Sequence, residues 1–251
     1  MSPEAFEARL YGDLSELWRF VSPPENYVEE VATFLTRFRR HGVPDGGRVL
    51  HLGSGGGSID FHLKRTYAVT GVDISPAMLA YARRTNPGVE YLHGDIRTVR
   101  LGQTFDAVLL HDAISYMTSI DELEMAYRTA AVHLELGGVM VTLPEELRSR
   151  LANGAPEIST ETDGTRTVTM IELVHDEDPS DHRFENTFVF LIREADDLRV
   201  EVDRHVNGVF ELEEFTGAMQ AAGFETRVED WELSDWTAGQ EMPLITAIRR
   251  K

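Results

Sequence analysis

The chain has 251 residues, 42% of them hydrophobic, enough for one large domain or a domain carrying an inserted subdomain. Its 43 acidic and 24 basic residues leave a formal charge of -19, which opposes attraction to phosphate backbones and anionic membranes and suits a neutral or cationic small ligand. There is no cysteine, so disulfides, iron–sulfur clusters and thiolate chemistry are excluded, and any base or ligand must come from His, Ser, Tyr, Asp or Glu.

The opening "MSPEAFEARLYGDL" has neither a basic n-region nor an apolar core, and no run approaches the roughly 20 residues needed to cross a bilayer, which favours the cytoplasm. From Glu4 to Arg40, apolar residues recur at helical intervals, broken by "SPP" at 22–24; this predicts two or three helices. "HGVPDGG" then turns into a strand, "RVLHLG". Beyond it, "YAVTGVD", "VEYLHGD", "FDAVLLHD" and "GGVMVTL" read as buried strands. The intervening "SPAMLAYARR" and "SIDELEMAYRTAAVHL" have helical periodicity, the first with Ser75 as N-cap and Pro76 at N1. This alternation predicts a doubly wound α/β sheet.

After Pro144 the pattern changes. "TRTVTMIELVHD", "RFENTFVFLIRE" and "LRVEVDRHVNGVF" predict antiparallel strands that form a cap or flap. A helix over "ELEEFTGAMQAAGF" and strands over "ETRVEDWELS" and "MPLITAIRRK" complete the main sheet.

The stretch "VLHLGSGGGSID" (49–60) places unobstructed backbone N–H groups and a helix start against a ligand. A mononucleotide P-loop needs Lys and Ser/Thr after its last glycine, whereas Gly57 is followed by "SIDF". Of the dinucleotide fingerprint only Gly53 and Gly55 are present, with Ser58 where the third glycine would stand. Asp73, ending the next strand, suits the ribose hydroxyls of a dinucleotide or of another adenosyl cofactor, and local chemistry does not separate the two.

The order of "VLHLGSGGG", "VTGVDISPAMLAYARR", "VEYLHGDI", "FDAVLLHDAISYM" and "LELGGVMVT" resembles the class I S-adenosylmethionine-dependent methyltransferases over about residues 45–145. The flanks are similar to small-molecule members, including sugar N,N-dimethyltransferases, and "HDAISYM" with "DRHVNGVF" to an actinobacterial branch of these enzymes. The resemblance implies an α/β fold with a doubly wound, mostly parallel, seven-stranded Rossmann-like sheet. It also implies an N-terminal helical lid (1–44), a cofactor-binding core (45–145 and 209–251) and an antiparallel β insertion after the fifth strand (146–208). Gly53, Gly55 and Met78 are expected to line S-adenosyl-L-methionine, Asp73 to hold its ribose, Ile74 to pack on adenine, and Asp95 with Ile96 to border the adenine amino group. Tyr11 and Tyr27 become lid candidates. His51 stands where the family usually has an acidic residue; a neutral imidazole there can still accept a hydrogen bond from the donor's ammonium group.

Methyl transfer from a sulfonium is an in-line displacement that needs positioning, exclusion of water and, for amine or hydroxyl acceptors, a route for a proton. His111 and Asp112 close the fourth strand, where open α/β sheets bind ligands. Because neighbouring strand residues face opposite sides, His111 is expected beside the adenosyl group and Asp112 or Tyr116 toward the acceptor, unless the strand has already ended. His205, in "DRHVNGVF", is the expected base, with Arg204 pointing away. His175 and His182, near "HDEDPSDH", read as a solvated turn, and no metal is expected. The acceptor is expected to be a small molecule, with no nucleic acid or membrane partner; a homodimer is compatible with the sequence. An NAD(P)-dependent oxidoreductase is the alternative enzyme, disfavoured by the missing glycine and the long helical prelude. A non-catalytic adenosyl-ligand-binding protein is the alternative outside catalysis.

Overall fold

In the computed structural model, residues 8–154, 156–231 and 242–250 are described. Arg9–Tyr11, Ser15–Leu17 and Pro24–Tyr27 form single 3-10 turns around α1 (Trp18–Val21), and α2 (Val28–Arg40) is the one long helix of this region among the described residues. The helical spacing expected from residue 4 onward thus begins outside the described residues and mostly serves short turns. Leu10, Leu14, Leu17 and Phe20 bury against Val168, Phe190 and Ile192 of the inserted sheet rather than against a helix partner. Consecutive prolines at 23 and 24 prevent a continuous helix, since each lacks an N–H and restrains its predecessor. α2 buries Val31, Phe34 and Phe38 at helical spacing against the main sheet.

The core then alternates: β1 (Arg48–Leu52), α3 (Asp60–Leu63), β2 (Ala68–Asp73), α4 (Pro76–Thr85), β3 (Glu90–His93), β4 (Phe105–Leu110), α5 (Ile120–Val132) and β5 (Leu134–Thr142). The insertion holds β6 (Pro156–Thr162), β7 (Arg166–His175), β8 (Arg183–Glu194) and β9 (Asp197–Gly208); α6 (Leu212–Ala221), β10 (Phe224–Trp231) and β11 (Met242–Arg249) finish the chain. The end of the predicted strand "ETRVEDWELS" lies outside the described residues. At α4 the predicted cap is present, Ser75 Oγ accepting the Met78 N–H at 3.0 Å.

The main sheet has the order β10-β11-β5-β4-β1-β2-β3. β5, β4, β1, β2 and β3 are mutually parallel, while β11 runs antiparallel to both β5 and β10. The central strands read as continuous apolar runs because separate clusters cover both faces, one around Leu50, Leu110 and Tyr127, the other around Val49, Leu109 and Phe34. Strand order reverses between β1 and β4, which opens a crevice beyond their C-terminal ends. The inserted sheet is antiparallel in the order β6-β7-β8-β9. Sequence reading finds three of its strands and misses β6, whose residues are all exposed and whose "PEISTET" has no apolar period.

Candidate active site

The loop after β1 is shaped by glycines that cannot be replaced freely. Gly53 has φ +78, and a Cβ there would stand 2.0 Å from the Ala113 Cβ. Gly55 (φ +50) offers its N–H to Asp73 Oδ2 at 2.8 Å, while Ser75 N–H reaches Oδ1 at 2.8 Å. Asp73 therefore ties the β1 loop to the start of α4, with further lone pairs available to ribose hydroxyls. Burial raises its carboxyl above the usual range, against these two backbone hydrogen bonds. Ile74 is 39% exposed, an apolar surface beside this carboxylate that fits an adenine face. Ser58, the residue that breaks the dinucleotide fingerprint, accepts from Trp18 Nε1 at 3.2 Å and donates to the Ser22 carbonyl, binding the N-terminal segment to the loop.

Three residues expected at the cofactor are buried in this structure. Met78, in the first turn of α4, has no exposed surface. Ile96 is 8% exposed and joins the main core. His111 is 2% exposed and faces α2, its Nε2 lying 3.3 Å from Glu30 Oε2 and its ring edge-on to Phe34. β4 has ended at Leu110, so the strand alternation that would separate His111 from Asp112 does not apply, and the two form an ion pair. Asp95 remains partly exposed, but both its oxygens are held by Arg97; burial raises its carboxyl, and the guanidinium outweighs this and lowers it.

His51 is 2% exposed at the end of β1. Its Nδ1 lies 2.7 Å from Oδ1 of Asp60, a fully buried carboxylate whose Oδ2 accepts the Tyr91 hydroxyl at 2.9 Å. Nε2 has no hydrogen-bond partner among the described residues. With Nδ1–H donated to Asp60, Nε2 is an acceptor, the form able to receive an ammonium N–H. The carboxylate thus stands behind the imidazole, not at the strand end itself.

On the opposite side of the crevice the inner face of β9 meets the N-terminal segment. Asp203 accepts the backbone N–H groups of Arg9 at 2.9 Å and Leu10 at 2.6 Å, and its Oδ2 lies 2.8 Å from His205 Nε2. His205 Nδ1 is 2.7 Å from the Tyr116 hydroxyl, which in turn lies 2.9 Å from the Tyr11 hydroxyl. Burial raises both phenols above their usual range, so they stay protonated. Burial also raises Asp203, but the bonds from His205, Leu10 and Arg9 prevail and lower it. β9 is a sheet edge, yet His205 is only 3% exposed because this face is covered, while Arg204 points outward as expected.

Glu145, just beyond β5, and Asp112 form a second group. Glu145 is solvent-accessible, yet its carboxyl is raised well above the usual range by burial and by the Asp112 charge, as expected for a group facing a cleft rather than bulk water. Tyr27 lies on the same side, hydrogen-bonded to Ser22 Oγ at 2.7 Å and edge-on to His111. His182 stacks on Phe210 and lies 2.9 Å from Glu214, and His175 is exposed at the end of β7. Two surface hollows of about 410 and 330 Å³, around Arg100–Thr104 and between His41 and the β10–β11 edge, hold none of these groups; the first lies at the N-terminal end of β4, opposite to the crevice.

Among expected site residues, then, Tyr11, Tyr116 and His205 come together, Gly53, Gly55, Asp73 and Ile74 lie on the adjoining loops and strand end, linked to Tyr11 where Ser75 Oγ donates to its carbonyl, and Asp112 lies between His111 and Glu145. Sequence reading does not find Asp60, Asp203, Glu30 or Glu145. Asp203 carries a usable signal, since Asp and His two apart on a strand share a face.

Residues 49–138 match a family model described as a methyltransferase domain. The family model, the relatives and the fold together support a class I S-adenosylmethionine-dependent methyltransferase. Within that class the chain resembles the sugar N-methyltransferases. It is 31% identical over 169 residues to the dTDP-3-amino-3,6-dideoxy-alpha-D-glucopyranose N,N-dimethyltransferase of Streptomyces fradiae, the match covering 66% of each chain, just under two thirds of that relative's length. The solved structure of Streptomyces venezuelae DesVI superposes with a TM-score of 0.81 at 25% identity, covering 95% of this chain and 98% of that one. S-adenosylmethionine-bound CalS10, an amino pentose methyltransferase from Micromonospora echinaspora, gives a TM-score of 0.75 at 29% identity, covering 88% and 90%. Among the described residues no helix is long and apolar enough to cross a membrane.

Proposed function

We propose that this chain methylates an amine of a small-molecule acceptor, an amino sugar by its kinship with the relatives above, and that Tyr11, Tyr116, His205 and Asp203 carry the acceptor's proton away. The bound cofactor, S-adenosyl-L-methionine, supplies an electrophilic methyl group and leaves as a neutral thioether. The protein's task is to hold the acceptor nitrogen in line, keep water out and receive the proton that nitrogen loses.

The observation that carries this reading is the continuous chain of short contacts, Tyr11–Tyr116 at 2.9 Å, Tyr116–His205 at 2.7 Å and His205–Asp203 at 2.8 Å. Two hydrogen-bond polarities satisfy it. In the structure Tyr116 donates to Tyr11; in the reverse polarity, with neutral His205 donating Nε2–H to Asp203, Nδ1 accepts from Tyr116 and Tyr116 accepts from Tyr11, and this is the polarity that takes up a proton. When a proton enters at Tyr11, each hydroxyl hands on its own, and His205 becomes an imidazolium held by the Asp203 carboxylate. The phenols pass protons without becoming phenolates, consistent with their raised pKa values. Gly53, Gly55, Asp73 and Ile74 hold the cofactor, and His51, backed by Asp60, accepts from its ammonium group.

His205→Ala and Tyr116→Phe test the relay in single-turnover assays with radiolabelled cofactor and a panel of amino sugars. Each is expected to lower turnover by roughly 100-fold or more, the usual worth of acid–base assistance, with cofactor affinity by calorimetry unchanged. Wild-type turnover in both variants removes the relay from the reaction.

A further inference from the structure

The strands β4 and β5 are neighbours, with Leu110 opposite Thr142, so the segments leaving their C-terminal ends run side by side. This brings His111 and Asp112 next to Glu145, while α2 lays Glu30 against the far side of the imidazole. His111, Asp112 and Glu145 each offer a ligand atom, and these atoms all lie within 4.8 Å of one another. First-row ions bind N and O ligands at about 2.0–2.2 Å, so ligand atoms around one ion stand on the order of 3–4.5 Å apart, and only small side-chain shifts are required.

A second observation points to a cation as ligand. His111 is 2% exposed, and its ring nitrogens, Asp112 Oδ1 and Glu30 Oε2 make no hydrogen bond of good geometry among the described residues, meeting only one another as ion pairs. Buried polar atoms are rarely left so. Three carboxylates surround one imidazole, and the ion pairs His111 makes are with Glu30 and Asp112. Glu30 stands where Nε2–H would be received, which directs the Nδ1 lone pair toward Asp112 and Glu145. Metal-bound histidines are commonly oriented by such a carboxylate. His111 anchors the group in the interior, and solvent-accessible Glu145 leaves it open to the acceptor cleft.

We propose that His111, Asp112 and Glu145 form a binding site for a divalent first-row transition-metal ion at the acceptor side of the cleft, with Glu30 positioning the imidazole. One nitrogen and two carboxylates suit Mn2+, Fe2+, Co2+ or Zn2+ better than Mg2+ or Ca2+, which prefer all-oxygen sets. Placed there, the ion has an open side for an acceptor hydroxyl and fixes the acceptor's orientation. Its field also disfavours the ammonium form of a neighbouring amine, leaving the nucleophilic free base. These consequences rest on the proposed amine methylation; the site itself does not.

The test uses the full chain stripped with a chelator and then titrated with Mn2+ and Zn2+ by calorimetry. Mn2+ pulsed electron paramagnetic resonance reads the ligands directly. Saturable binding of one ion per chain is expected, with nitrogen-14 coupling from His111 to bound Mn2+. Glu145→Gln and Asp112→Asn should each weaken binding by roughly tenfold or more, and Glu30→Gln by about 10–100-fold, the range for lost orienting partners. Wild-type affinity of Glu145→Gln for S-adenosylhomocysteine shows that its fold is intact. No saturable binding, no nitrogen coupling, or wild-type metal affinity in Glu145→Gln and Asp112→Asn overturns the site. Metal occupancy is read without turnover, so failure here is distinct from failure of the methylation reading.

Discussion

At the scale of single residues, conformational freedom and hydrogen-bond capacity decide what each side chain does. Gly53 is the clearest case: its φ is positive, and any Cβ at this position would come within 2.0 Å of the Ala113 Cβ, leaving no room for a side chain. Gly53→Ala is expected to cost about 2–5 kcal/mol through backbone strain and overpacking. It should also lower cofactor affinity at least tenfold, as the loop shifts; a melting temperature and calorimetric affinity matching wild type would refute this. The glycine loop, Asp73 and the Ser75 cap are all legible in the sequence, because each acts through its own backbone or through neighbours a few residues away. Asp60 is not. It reaches His51 across nine positions and through the turn of the chain that β1 and α3 create, and no local pattern marks it.

At the scale of elements, the contact between β9 and the turn Arg9–Tyr11 latches the N-terminal segment to the insertion through Asp203. The folded-state carboxyl is lowered relative to its unfolded value of about 3.9, so its contribution to stability is present above that pH and is lost as pH falls through the lower folded value. Asp203→Asn should therefore be less stable at neutral pH, and its melting temperature should fall less steeply than wild type below about pH 4. Parallel acid limbs in the two proteins would show that the latch does not depend on this charge. Elements themselves are legible where apolar periodicity is strong, as in β1–β5, α4, α5 and three strands of the insertion. They are misread where spacing of three to four residues serves 3-10 turns, and missed in β6, whose exposed residues carry no burial signal.

At the scale of the molecule, the cluster of Leu10, Leu14, Leu17 and Phe20 with Val168, Phe190 and Ile192 joins the N-terminal segment to the insertion above the crevice. Phe190 has no exposed surface, and Phe190→Ala is expected to cost about 3–5 kcal/mol. Because that cluster also seats Tyr11, the loss should increase hydrogen exchange in residues 9–20 and lower turnover together. Unchanged exchange there would separate the N-terminal segment from the insertion.

The sequence by itself determined the alternating α/β core, the glycine loop and the class of chemistry, since these follow from periodicity, turn residues and motif order over short stretches. Tertiary structure alone decided which groups share a pocket. It set His111 against Glu30 of α2, put Asp60 behind His51, closed Tyr11, Tyr116, His205 and Asp203 into one chain, and brought Glu145 to Asp112. Those contacts join residues up to 105 positions apart, and only the packing of sheet, insertion and N-terminal segment fixes their distances.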